Sequence, residues 1–345
     1  MKVFVHTLVW SDREYLPELF DSLETQSYQD YTLRVLDNAS SDGSLEYVQT
    51  RAPKSVVARN NKNRGFAGGH NQLLHFTMKY LEEDEDAYIL LLNPDMVLHP
   101  DCIGHLVKAL DEQPELSAVQ PKVYRAFRQE GDDEAIAEKV QSDVLDTTGL
   151  RLNKNFRMTD RGAGELDKGQ YDSIEHLFAP SGALVMFRLS ALRDVMIENE
   201  ILDDHFFAYR EDCDLAWRLW RRGWNCAFVP GSIAYHYRGM YGAEKQSLWS
   251  RLRNRRSQRP FFAALSSRNQ LFMLVKNLSF TNLFLYSPWI LTTEVFRGLY
   301  GFIFEPQTRR RLIEFWTLLP AMLKKRKQIF RTAKRKPSEL RPYVD

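Results

Sequence analysis

The 345-residue chain is 44% hydrophobic, enough for one large domain plus an appendage, and its three widely spaced cysteines (Cys102, Cys213, Cys226) exclude a disulfide framework and a cysteine zinc site. A net charge of +2 hides an uneven division: residues 1–250 carry 27 Lys and Arg against 40 Asp and Glu, whereas residues 251–345 carry 20 against 5. An acidic body with a basic, aromatic tail argues against a nucleic-acid-binding protein and points to an anionic partner such as a phospholipid surface.

Strands and helices alternate along the first 120 residues. The pattern predicts strands over 3–9, 32–36, 55–59, 88–92 and 118–120, with helices over 12–26, 45–51, 68–81 and 102–112. The opening MKVFVHTLVW reads as a first core strand rather than a signal peptide, and the chain is expected in a reducing, cytoplasmic setting. Such alternation implies an α/β domain with a mostly parallel sheet, in which ligands bind beyond the carboxyl ends of the strands. Residues 128–175 are acidic and polar and are expected to form a long, partly ordered excursion. A small-residue strand over 178–187 follows, then a helix over 212–222 ended by Gly223, and two short strands over 226–229 and 233–235. Residues 283–304 are apolar but hold Pro288, Glu294 and Arg297, so an amphipathic segment lying in a membrane interface is expected in preference to a span. The plainer alternative is a helical subdomain with a solvated basic face.

Several polar motifs stand at strand ends. Asp37-Asn38-Ala39-Ser40 follows a strand directly; a carboxylate there suits either a pyrimidine imide or the cap of the next helix. Asn63-Arg64-Gly65-Phe66-Ala67-Gly68-Gly69 leads into a helix, where glycines admit a phosphate or close helix–strand packing, and it is neither a Walker loop nor a GxGxxG turn. Asn93-Pro94-Asp95 breaks the strand LLL and is by itself an ordinary turn. Glu211-Asp212 opens a helix, where acids are favoured whatever their role, and His236 ends a short strand.

Taken in order, strand–DNAS, NRGFAGGHN, strand–NPD, Ser181-Gly182-Ala183, FFAYREDCDLAWR and strand–His236 resemble the family 2 inverting glycosyltransferases of the GT-A fold over residues 1–240. The phrases Asp146-Thr147-Thr148-Gly149 and DRGAGELDKGQYD look like the bacterial rhamnosyltransferase-like branch. The resemblance implies a catalytic domain over 1–245 and a basic helical extension over 246–345. It implies a nucleotide-diphosphate sugar donor, dTDP-rhamnose first and UDP- or GDP-sugars next, and a glycan or lipid-linked acceptor. By similarity Asp37 contacts the base with Trp10 near it, Asn63, Arg64, Gly65 and Asn93 line the nucleotide-sugar, Asp95 and His236 hold Mg²⁺ or Mn²⁺, and Asp212 is the general base. Gly182, Glu211 and Arg210 fall near the acceptor. Arg218 and Arg221 suit phosphate or acceptor as well as a solvated helix face. The tail is expected to dock the enzyme on the inner face of the cytoplasmic membrane. Asn93 departs from a full DxD, and Val9-Trp10-Ser11 stands where the family often has Thr-Tyr-Asn. Two rivals are a sugar-nucleotide nucleotidyltransferase, against which the glycine-free WSDREYLPEL counts, and a non-catalytic scaffold of the same fold.

Overall fold

A computed structural model describes residues 1–82, 85–129, 138–173, 176–237 and 260–345. In chain order the first elements are β1 (Lys2–Val9), α1 (Leu16–Glu24), β2 (Tyr31–Asp37), α2 (Ser44–Arg51), β3 (Val56–Arg59), α3 (Gly65–Tyr80), β4 (Ala87–Leu92), β5 (Met96–Leu98), α4 (Cys102–Glu112) and β6 (Leu116–Gln129). There follow β7 (Glu138–Thr147), β8 (Leu150–Leu152), β9 (Met158–Asp160), β10 (His176–Leu177), β11 (Leu184–Arg188), α5 (Leu189–Asp194), α6 (Glu211–Arg221) and β12 (Asn225–His236). The last helices are α7 (Pro260–Asn277), α8 (Phe280–Phe304) and α9 (Pro306–Arg331). The chain divides into two compact units: Met1–Leu150 with Asp160–Asp194 and Asn225–Gly239, and Arg151–Thr159 with Val195–Trp224 and Met240–Asp345.

The first unit is built on one sheet in the order β10-β12-β6-β11-β4-β1-β2-β3, with β5 paired to β12 and β7 to β6. Every residue of β4 is buried, as expected of a central strand covered on both faces. β1 runs parallel to β2 and β4, and β2 runs parallel to β3. β11 is antiparallel to β4 and β6, and β12 is parallel to β6, so β12 also ends at the edge where β1, β2 and β4 end. Register fixes the neighbours there: Val9 pairs with Asp37, Asp37 with Arg59, Leu92 with Leu184, and Met96 with His236. The core beneath is apolar, with Leu16, Leu19 and Phe20 of α1 and Ile103, Leu106 and Leu110 of α4 packed on the sheet.

Three expectations need correction. The segment after residue 128 is more regular, where it is described, than the long, partly ordered excursion expected: β6 runs on to Gln129 and pairs antiparallel with β7, while β8 and β9 form a two-stranded ribbon. The excursion's residues 130–137 and 174–175 lie outside the described residues. The two short strands are one, β12, with a register shift between Val229 and Ile233. Pro230 and Gly231 interrupt the apolar pattern there, and a bulge absorbs them. The first helix begins at Leu16, and Asp12 belongs to the loop before it.

In the second unit, α6 buries Leu215, Trp217, Leu219 and Trp220, and the indole of Trp217 stacks on Phe156. Phe272 of α7 stacks on Phe315 of α9. The three cysteines are buried and free.

Candidate functional site

The loops beyond β1, β2 and β3 are tied together by side chains. Asp37 is buried at the end of β2, with both carboxylate oxygens 3.3 Å from the Ser40 amide and Arg59 Nε 3.3 Å from Oδ2. Asn38 joins three loops. Its amide donates to Val9 O (2.7 Å), its Nδ2 donates to Asn63 Oδ1 (2.9 Å) and Gly65 O (3.2 Å), and its Oδ1 accepts from Asn60 Nδ2 and the Arg64 amide, both at 3.0 Å. Asn63 Oδ1 also accepts the Gly65 amide at 2.7 Å. Gly65 has φ +74°, where a β-carbon is strained, and a β-carbon at Gly69 would lie 2.5 Å from Leu8 Cδ1. The glycine-rich stretch therefore shapes the turn and lets α3 approach β1 closely. The Ser11 amide donates to Ser40 Oγ (3.0 Å), and Trp10 beside it is 40% exposed.

The Asn-Pro-Asp turn leaves β4 and enters β5. The Asn93 amide donates to Ala183 O (2.9 Å), so Asn93 and Gly182 share one strand junction, and Asp95 O accepts the Tyr237 amide (2.9 Å). His236 stands between two carboxylates: Nε2 is 3.2 Å from Asp95 Oδ2, and Nδ1 is 2.8 Å from Asp146 Oδ2. Burial works against a charged imidazole, but Asp95 and Asp146 outweigh it and push His236 up to about 9. Burial, with Asp95 and Asp42 adding to it against the Trp10 amide, pushes the Asp12 carboxyl up to about 7. Among the described residues, Asp95 Oδ1 is buried and accepts no hydrogen bond. An acid-rich cluster with an unpartnered carboxylate oxygen is what a hard divalent cation compensates. Asp95 and His236 fit as its oxygen and nitrogen ligands. Asp146 holds Nδ1 and so fixes the ring with Nε2 towards Asp95, the carboxylate–histidine arrangement of metal sites.

Arg210, Glu211 and Asp212 belong to the second unit. Phe207, Tyr209 and Arg210 all have positive φ (63°, 70° and 74°), an expensive series before a helix. Asn269 of α7 holds it: its Nδ2 lies 2.8, 2.9 and 2.8 Å from the carbonyls of Phe206, Ala208 and Tyr209. Arg210 Nη1 donates to Met158 O (2.8 Å). Glu211 is buried, and burial with its neighbours Asp212 and Asp214 pushes its carboxyl up to about 8. Asp212 is half-buried, and its Oδ1 accepts the Cys213 amide at 2.7 Å. Asp214 is fully buried on Arg218 Nε (2.9 Å), Lys276 Nζ (2.8 Å) and Asn277 Nδ2 (2.8 Å).

The family models decide the class. That for glycosyl transferase family 2 matches residues 5–162, and that for glycosyl transferase family group 2 matches residues 88–323. The chain is a family 2 glycosyltransferase. It is 24% identical over 250 residues to an N-acetylglucosaminyl-diphospho-decaprenol L-rhamnosyltransferase of Mycobacterium tuberculosis, covering 68% of this chain and 75% of that one. It is likewise 24% identical over 229 residues to rhamnosyltransferase WbbL of Escherichia coli, covering 62% and 81%. The fold matches TarS of S. aureus in complex with UDP-GlcNAc at a TM-score of 0.51 and 14% identity, covering 99% of this chain and 92% of that one. These likenesses make the architecture GT-A, a central sheet flanked by helices with a helical C-terminal region.

In this glycosyltransferase the structure adds three side chains to which the sequence reading gave no role: Asn38 within DNAS, Asp12 inside an expected helix, and Asp146 within DTTG, whose partner His236 lies 90 residues away. Arg218 and Arg221 are not a solvated face: both are buried, Arg218 donating to Val195 O and Ile201 O and Arg221 to Asn277 O. In the second unit Glu200, Asp203 and His205 come close enough to hold a cation. An ammonium already lies among them, with Lys325 Nζ 2.9 Å from Glu200, 2.7 Å from Asp203 and 3.3 Å from His205 Nδ1. That cluster is an ion-pair hub around the buried Lys325 and Asp203.

Proposed function

We propose that the enzyme transfers a rhamnosyl group from dTDP-rhamnose, or failing that a sugar from a UDP or GDP donor, to a hydroxyl of a lipid-diphosphate-linked glycan, with inversion. The observation that carries this is His236 held by Asp146 against Asp95, at the strand edge where the loops of Asp37, Asn38 and Asn63 meet. The two rhamnosyltransferase relatives favour this donor, and the mycobacterial one, named for a diphospho-decaprenol acceptor, favours a lipid-linked one. Asp37 accepts from the base imide and Trp10 covers the base. Asn63, Arg64 and Gly65 present amides and charge to the nucleotide, and Asn93 faces the sugar. Asp95 and His236 would hold Mg²⁺ or Mn²⁺, which would supply Lewis-acid stabilisation of the nucleoside diphosphate leaving group. Asp212 takes the proton of the attacking hydroxyl, and Arg210 and Gly182 border the acceptor. The basic tail holds the enzyme on the inner face of the cytoplasmic membrane, where such acceptors are anchored.

Asp212→Asn tests the base. Loss of a positioned base lowers turnover by about 10²–10⁴-fold, with nucleotide affinity kept. Near-normal turnover of the variant removes Asp212 from the role.

A further inference from the structure

Helix α8 is amphipathic the wrong way round for water. Three of its polar side chains face the protein: Arg157 Nε and Nη2 each donate to Glu294 at 2.8 Å, Asn155 Nδ2 donates to Thr293 at 3.3 Å, and Asn282 Nδ2 donates to Pro337 O at 2.9 Å. Its outward side is a continuous apolar stripe at helical spacing, through Phe284, Leu291, Val295, Leu299 and Phe302. Phe284 is 85% exposed and Phe296 70%. The neighbouring α9 buries Phe315, Met322 and Ile329, yet Trp316 beside Phe315 is 69% exposed.

An apolar stripe of this length on a soluble surface marks an interaction site. Charge identifies the occupant. Exposed Arg309 and Arg310 follow the stripe directly, within a region from residue 251 onward that holds 20 basic against 5 acidic residues. Aromatic and aliphatic groups beside arginines suit the boundary between anionic headgroups and acyl chains. Among the described residues no helix is long and apolar enough to cross a membrane.

We propose that α8 lies in one leaflet of an anionic bilayer, its outward side among the acyl chains and its Glu294 side on the protein. This deepens the membrane docking proposed above, from contact through basic charge to insertion of a named helix face. Charge attraction is screened within about 8 Å at physiological salt, whereas apolar insertion is not screened, which separates the two.

The test is flotation of the full chain with phosphatidylglycerol–phosphatidylethanolamine vesicles in low salt and in 0.5 M NaCl, comparing wild type with Phe284→Asp/Phe296→Asp. Both positions are solvent-facing, so the variant keeps the fold, which circular dichroism checks. Wild type is expected to float in both salts, with the variant's partitioning at least tenfold weaker in high salt. Insertion is overturned if wild type floats only at low salt and the variant floats equally well; charge docking then survives. If wild type floats in neither salt, both readings fall. Sedimentation showing a wild-type dimer that the variant converts to monomer, without flotation, assigns the face to a second copy and also overturns the proposal.

Discussion

Lys276→Met removes the ammonium from the centre of the second unit. Lys276 Nζ lies 2.7 Å from Asp203 and 2.8 Å from Asp214, with side chains 1%, 3% and 0% exposed. Breaking a buried pair by removing one partner costs about 3–5 kcal/mol, because the remaining charge stays buried. Here both acids keep other partners: Asp203 has Lys325 at 2.7 Å, and Asp214 has Arg218 and Asn277. The low end, about 3 kcal/mol, is therefore expected at pH 7. Burial acts to raise the Asp203 carboxyl, but Lys276 and Lys325 override it and hold it well below the usual range, and Lys276 acts the same way on Asp214. A depressed carboxylate stabilises the fold above its unfolded pKa and loses that contribution as pH falls through its folded one. In the variant both acids rise towards ordinary values and take up protons sooner. The gap between the proteins should thus narrow as the pH drops below about 4. Urea unfolding followed by tryptophan fluorescence, to which Trp217 and Trp220 contribute from this unit, measures it. A gap under about 1 kcal/mol at pH 7, or one that does not change with pH, refutes this account of the network.

Asn269→Ala strips the Nδ2 donor from the part-buried carbonyls of Ala208 and Tyr209 in the positive-φ run before α6, whereas Phe206 O keeps the Ala208 amide at 2.7 Å; each group left unmet costs at most about 1–3 kcal/mol. Expect a clear drop in stability and in kcat, with nucleotide affinity measured by calorimetry unchanged; a weakened affinity with normal kcat counts against the positioning role. For His236 in metal-free protein, the raised pKa means its stabilisation is complete below the ordinary value of 6.5 and is lost as pH rises through about 9. At about 1.4 kcal/mol per unit, the contribution is on the order of 3 kcal/mol. Thermal melts of His236→Asn should trail wild type at pH 6 and converge with it above pH 9; a pH-independent deficit contradicts the ion pairing.

Strand ends were legible in the sequence because proline, glycine and short polar residues punctuate apolar runs, as at Asn93-Pro94 after LLL and Asn38 after Asp37. Their meeting at one edge follows from parallel topology, which alternation already implies. Asp146 was illegible for a physical reason: its role depends on the pairing of β7 with β6 and on a histidine far along the chain. The single strand β12 was masked by its own bulge. Arg218 and Arg221 misled because arginines at helical spacing suggest solvent, while burial beside Asp214 and the Asn277 carbonyl is a tertiary fact. Helix α8 showed its apolar character in sequence, but only the structure shows Glu294 turned inward onto Arg157.

The central claim is a sugar-nucleotide site that uses a divalent cation at Asp95. The most direct measurement is a thermal-shift panel of dTDP-rhamnose, UDP-sugars and GDP-sugars, with and without Mn²⁺, on wild type and Asp95→Asn. A ligand at 100 times its Kd stabilises by about 2.7 kcal/mol. At least one donor should raise the wild-type melting temperature more with Mn²⁺ than without, and Asp95→Asn should lose that increment. If no sugar nucleotide stabilises the wild type, or if Asp95→Asn keeps the full Mn²⁺ response, the account is wrong.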